Sequence, residues 1–398
     1  MIDSSYYAAL AERAEPHLYG PEQCAWLERL DLEAANLRAA LDGAVERGDR
    51  PLALRLVGAL GWYWYLRGHH SEGRRSAARA LAVPGTGGDT TRAAAWAAGL
   101  AIVAGEAGPD RAVPEGAGAR ARWFVAHAHL RLGDVPAAGA LVEQALAAFR
   151  EAGDRWGEAA ALASRARRAI LRGDLTAGAR DGERSLAVFT EVGDRWGQRY
   201  AGEQLAHLAE IAGDYATAAR LYQDGSLGQG RVAMLTGDHD RARESFERAL
   251  RLAVERSDGF EQEGARLGLA QLARRTGDLD GAEAQLRTIL ARHERLAADH
   301  GRPFHGVTLV LAELGFAAEE RGDAALARSL HERGLAAAHE IGDPRAEALA
   351  HEGLAAAAAL DGDRRAAWTH LTQAIRLRGP DTPLPRPNAA TSSAPSPR

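Results

Sequence analysis

The sequence predicts an all-α chain, a solenoid of antiparallel helix pairs repeating about every 40 residues, on three observations. Alanine, leucine, arginine and glutamate dominate while aromatics make up only 6% of the 398 residues, a balance that favours helix over sheet. Gly-Asp pairs fall at Gly133-Asp134, Gly153-Asp154, Gly173-Asp174, Gly193-Asp194 and Gly213-Asp214, each 20 residues after the last. Glycine supplies the left-handed residue that closes one helix, and aspartate caps the start of the next. Finally, Asp154-Arg155-Trp156-Gly157 recurs 40 residues on as Asp194-Arg195-Trp196-Gly197, so one unit is two helices.

The inter-helix glycines at 133, 173, 213, 237, 277, 322 and 362 serve as anchors. Seven before them stand Ala126, Ala166, Ala206, Gly230, Ala270, Gly315 and Ala355; five after them stand Ala138, Gly178, Ala218, Ala242, Ala282, Ala327 and Ala367. Small residues at both places let two helices cross closely. Thirteen after the anchors come Leu146, Leu186, Leu250, Leu290, Leu335 and Ile375, a large apolar plug that only the unit at Gly213 lacks.

These columns, with Ala145, Ser185, Ala249, Gly334 and Ala374 twelve after their anchors, resemble the tetratricopeptide pattern over roughly residues 50–378. Ile289 departs from the small class, and the period is about six longer than usual, as in repeats of bacterial signal-responsive regulators. A narrower resemblance lies towards the amino terminus, in Tyr6-Tyr7-Ala8-Ala9-Leu10, Trp26-Leu27-Glu28-Arg29-Leu30, Asn36-Leu37-Arg38-Ala39-Ala40-Leu41 and Trp62-Tyr63-Trp64-Tyr65-Leu66-Arg67-Gly68. It is similar to the segment that opens the helical sensor arm of actinobacterial transcriptional regulators of the LuxR and antibiotic-regulator types. In those proteins the arm follows ATPase and DNA-binding modules, which this sequence lacks. The resemblance implies a regulatory or adaptor protein whose arm binds a protein, a peptide or a small effector.

Four segments are expected: an amino-terminal helical segment over 1–50, irregular first repeats over 51–118, a superhelix over 119–378 and a disordered proline-, serine- and alanine-rich tail over 379–398. Two breaks interrupt the rhythm. Glycines and prolines crowd 106–118, where the second helix of a pair belongs, and only 24 residues separate Gly213 from Gly237, so about one helix is missing near 223–231. The long step from Gly277 to Gly322 predicts an extended loop near Asp299-His300-Gly301-Arg302-Pro303.

Several functions are excluded or disfavoured. All 49 cationic side chains are arginine, so neither a phosphate-loop lysine nor a Schiff-base lysine exists, and no nucleotide or other cofactor is expected. A formal net charge of -5 argues against direct nucleic-acid binding. Cys24 is alone, which rules out an internal disulfide and a four-cysteine zinc site. No secretory leader and no membrane span is legible, so a cytoplasmic setting is expected.

Among candidate sites, His127 and His129 stand two apart on a helix and face different ways, so no metal is expected. Glu319-Glu320 lie side by side and cannot flank a substrate. The Trp62-Tyr63-Trp64-Tyr65 cluster suits either a core or a ligand pocket, and Trp156 and Trp196, sharing a repeat position, suit packing between repeats. In tetratricopeptide-like arrays the first helix of each pair lines the concave face. Carried over, this puts His127, Arg167, His207, Arg231, Gln271, Phe316 and Ala356 in the groove, with Glu203, Glu210, Arg274, Glu319 and Glu352 beside them. Arginines and histidines on one stripe would suit a carboxylate-bearing partner, held more tightly as pH falls. The expected protein is therefore a non-catalytic scaffold; the alternative is an enzyme or small-molecule binder with a pocket at a repeat break.

Overall fold

The computed structural model describes residues 3–378 apart from 105–112, 132, 223–225, 256–257, 301–302 and 304–305. The tail over 379–398 and much of the 106–118 break lie outside the described residues, among which there is no strand. The chain opens with α1 (Ser4–Ala14), a 3-10 turn (Glu15–Tyr19), α2 (Gln23–Leu32) and α3 (Ala34–Glu46). Next come α4 (Arg50–Leu66) with α5 (His70–Ala82), then α6 (Thr90–Ala104), which packs against both α5 and the following α7 (Ala119–Arg131). Pairs follow: α7 with α8 (Val135–Glu151), α9 (Arg155–Leu171) with α10 (Leu175–Val192), and α11 (Arg195–Ile211) with α12 (Tyr215–Leu221). The second half pairs α13 (Leu227–Leu235) with α14 (His239–Glu255), α15 (Gly259–Arg275) with α16 (Leu279–His300), α17 (Gly306–Glu320) with α18 (Ala324–Ile341), and α19 (Pro344–Leu360) with α20 (Arg364–Arg378).

The Gly-Asp rhythm is the punctuation it promised to be. Asp134, Asp154, Asp174, Asp194 and Asp214 each accept a hydrogen bond from the backbone N–H three residues on, capping α8 to α12. Each such cap contributes about 1 kcal/mol.

Stacking between repeats rests on a ring set against a glycine. Phe149 lies on Gly157, Phe189 on Gly197, Phe246 between Gly230 and Gly268, and His331 between Gly315 and Gly353. A Cβ at Gly197 would fall 2.1 Å from the Phe189 ring. That contact explains why Trp-Gly recurs as a unit: the glycine admits the ring of the preceding helix while the tryptophan turns inward.

Two expectations about the breaks change. Between Gly213 and Gly237 no single helix is deleted: the loss is shared between the 7-residue α12 and the 9-residue α13. The extra length after Gly277 goes first into helix, since α16 runs 22 residues to His300.

Candidate functional site

The solenoid winds so tightly that its inner face differs between its two halves. In the first half, α4, α6, α7, α9 and α11 converge on Trp62, which is fully buried. The rings of Tyr65, Trp196, Trp123 and Trp156 lie 4.9–5.6 Å from it, with Trp96 and Phe124 just beyond. Trp156 and Trp196 stack at 6.0 Å, as their shared repeat position suggested. The aromatic cluster is core.

The amino-terminal segment closes this half. Tyr19 stacks on Trp62 at 5.6 Å. The Gln23 amide donates to the Leu18 carbonyl at 2.8 Å and to Asp194 Oδ2 at 2.9 Å, while its oxygen accepts from the Trp196 N–H at 3.0 Å. Pro21 sits against Gly193, whose φ of +71° already demands glycine and where a Cβ would meet Pro21 at 3.0 Å. Burial pushes the Asp194 carboxyl up to about 6.

Of the residues placed in the groove by the repeat columns, His127 lies within this core at 1% exposure, its Nε2 sharing a hydrogen bond with the Tyr65 hydroxyl. Burial, reinforced by Arg131 and Arg167, holds its pKa well below the usual imidazole value. Burial also lowers His207. Both shifts run against charging of these rings on mild acidification, and so against a pH-strengthened grip. Arg167 is half-buried, donates through Nε to the Leu130 carbonyl at 3.0 Å and has no carboxylate partner among the described residues.

In the second half the inner face is polar. Arg231 forks onto both oxygens of Glu210 at 3.1 and 3.0 Å. The Tyr222 hydroxyl donates to Glu210 at 3.0 Å and accepts from Arg231 at 2.9 Å, closing a triangle. Burial would raise the Glu210 carboxyl, but Arg231 and His207 outweigh it and hold it well below the carboxylate range. Solvent reaches the site: the side chains of His207 and Arg231 are 40% and 35% exposed. Glu203 pairs loosely with Arg199 at 3.9 Å. Deeper in, Arg274 is only 6% exposed and is committed to Glu313 at 2.9 Å and to Glu320, while the Gln271 amide donates to Glu313 at 2.9 Å. Arg231 and Arg274 are thus neutralised from within.

Two further cations that make no ion pair among the described residues are ones the columns missed. Arg345, near the start of α19, stands beside Asp343 and close enough to α11 for its charge to act on His207 and Glu210. Burial lowers its pKa, and its guanidinium forms no hydrogen bond or ion pair among the described residues. Arg275 is likewise lowered by burial and forms no ion pair among the described residues. Neither stands three, six or ten residues before an anchor, so only the winding of one turn onto the next could reveal them. Arg131 makes that winding visible, reaching from α7 to Asp258 and Glu261 at the start of α15, each at 3.5 Å.

Among the described residues no group of three or more His, Cys, Asp and Glu side chains is placed to hold a metal. His293 pairs with Glu263 and His331 with Glu319. No described helix is long and apolar enough to cross a membrane.

No protein-family profile matches the chain, and no curated protein does. Similar solved structures include the APC/C hetero-tetramer Cut9-Hcn1, at 14% identity over 86% of this chain and 60% of that one, with a TM-score of 0.40. This chain therefore spans less than two thirds of that one's length. Yeast Tom70 matches at 14% identity over 94% and 92% of the two chains, TM-score 0.42. The TPR domain of P58(IPK) matches at 14% identity over 94% and 98%, TM-score 0.25. The chain has an all-α fold of repeated antiparallel helix pairs.

Proposed function

We propose that this chain is a non-catalytic scaffold that binds a carboxylate-bearing protein or peptide segment along the inner face of its second half. The observation that carries this is Arg345, a cation that makes no ion pair among the described residues, with Asp343 and Glu210 acting on it only through their fields, while Arg231 is paired with Glu210. A cation partly stripped of water gains most from a ligand that supplies the missing charge, and an arginine fork fits a carboxylate in bidentate fashion. Arg275 and Arg167 extend the same chemistry along the lumen, with His207 and Gln271 as neutral polar neighbours. The amino-terminal resemblance to regulator sensor arms supports a regulatory or adaptor role in the cytoplasm, with a small carboxylate effector as the other ligand of the same chemistry.

Calorimetry with a glutamate-rich peptide tests the site. Binding is expected to weaken roughly tenfold in Arg345→Ala and further in Arg345→Ala/Arg275→Ala, as loss of charge-assisted hydrogen bonds implies. Unchanged affinity in the double variant would overturn the assignment.

A further inference from the structure

Helix α20, the last described helix, has an apolar face that no described residue covers. Nine residues after each anchor, the column Val142, Gly182, Tyr222, Phe246, Leu286 and His331 is buried in every earlier repeat. Its last member, Leu371, is 42% exposed. Ile375, in the column of apolar plugs, is 58% exposed, and Trp368 is 73% exposed. Residues 368, 371 and 375 share one side of a helix, so they form a continuous stripe. An exposed outer face of a repeat is usually polar; on the last described helix it carries tryptophan, leucine and isoleucine.

Where a ring stands on this face in an earlier repeat, the next first-type helix covers it with a glycine: Gly157 and Gly197 of α9 and α11 on Phe149 and Phe189, Gly268 of α15 on Phe246, and Gly353 of α19 on His331. Charge narrows the occupant. Helix α20 carries Arg364, Arg365, Arg376 and Arg378 and no acidic residue. A second α20 would bring Arg364, Arg365 and Arg376 against the same three, Arg378 being paired with Glu352 of its own chain, and the following 379–398 segment is proline-rich with Asp381 as its only acid. We infer that the end of the array is a docking surface for an amphipathic α-helix of another protein, presenting small residues to the Trp368-Leu371-Ile375 stripe and carboxylates to the flanking arginines. This surface is independent of the inner face.

The probe is a labelled synthetic peptide with the sequence of α19, Pro344–Leu360, carrying Arg345→Glu and His351→Glu, titrated with the full chain and followed by fluorescence anisotropy. Saturable binding is expected, weakening with added salt. At least tenfold loss is expected in Ile375→Glu and in Trp368→Ser, both exposed positions whose circular dichroism should match the parent. Arg365→Gln/Arg376→Gln should weaken it severalfold, and Arg345→Ala should leave it unchanged. Absence of saturation, or equal affinity in all α20 variants, would overturn the proposal. So would a full-chain dimer that Ile375→Glu dissociates, which would give the face to a second copy. Tighter peptide binding after removal of residues 379–398 would give it to this chain's own tail, with the same result.

Discussion

Gln23 and Asp194 are hydrogen-bonded at 2.9 Å although 171 residues separate them. The bond fastens the amino-terminal segment to the cap of α11, because Asp194 also accepts from the Gly197 N–H at 2.6 Å. Gln23→Ala should leave buried polar groups of Asp194 and Trp196 short of a partner and cost about 1–3 kcal/mol in denaturant unfolding. Loss of well under 1 kcal/mol would mean that the segment is held by Tyr19 and Pro21 alone.

Asp194 also sets a pH dependence. Its carboxyl is raised from an ordinary 3.8 to about 6 by burial, so the folded state holds the proton more tightly than the unfolded chain. That contribution is fully present below pH 3.8 and is lost as pH rises through about 6. Against Asp194→Asn, the parent should therefore lose about 3 kcal/mol of relative stability between roughly pH 3.5 and 7. Parallel stability curves for the two proteins would show that the carboxyl is not desolvated.

Glu210 works in the opposite sense. Arg231 and His207 outweigh burial and depress its pKa, so its stabilisation is present above the unfolded carboxyl value and is lost as pH falls through the lower folded one. Glu210→Gln should cost about 1–3 kcal/mol at neutral pH, discounted because solvent reaches Arg231. The difference should shrink below about pH 4.5, where the Glu210 carboxyl of the unfolded chain begins to protonate while the folded one stays ionised. Thermal melts of both proteins at pH 3.5 and 7 check this.

Two glycines of one helix separate packing from propensity. At Gly197 a Cβ would strike the Phe189 ring at 2.1 Å, whereas at Gly202 the nearest atom, the Leu221 carbonyl oxygen, would be 3.9 Å away. Gly197→Ala should destabilise by about 1–3 kcal/mol through overpacking. Gly202→Ala should stabilise by up to about 1 kcal/mol, because alanine is the better helix former. Equal effects at both positions would refute ring-on-glycine stacking.

Trp62 joins five helices, so its loss should be felt beyond its own pair. Trp62→Ala is expected to cost about 3–5 kcal/mol. Hydrogen exchange should quicken in α4, α7, α9 and α11 together, while α17 to α20 keep their protection. Acceleration confined to α4 would mean that the hub does not couple the repeats.

Helix pairing, the capping aspartates and the small-residue columns were legible in the sequence, because each depends on residues within about one repeat of one another and so leaves a period. Asp154 and Asp194 could be named as caps from their spacing alone, and Trp156 and Trp196 as packing partners. Tertiary structure alone decided what the inner face holds. Whether His127 lines a groove or joins a core depends on how far α11 swings round towards α4, and the charge of Arg345 acts on Glu210 only because α19 comes to rest close to α11. Small rotations between repeats add up over the array, and no local period encodes their sum. The columns could therefore say which residues turn inward, but not which of them would find a countercharge waiting there.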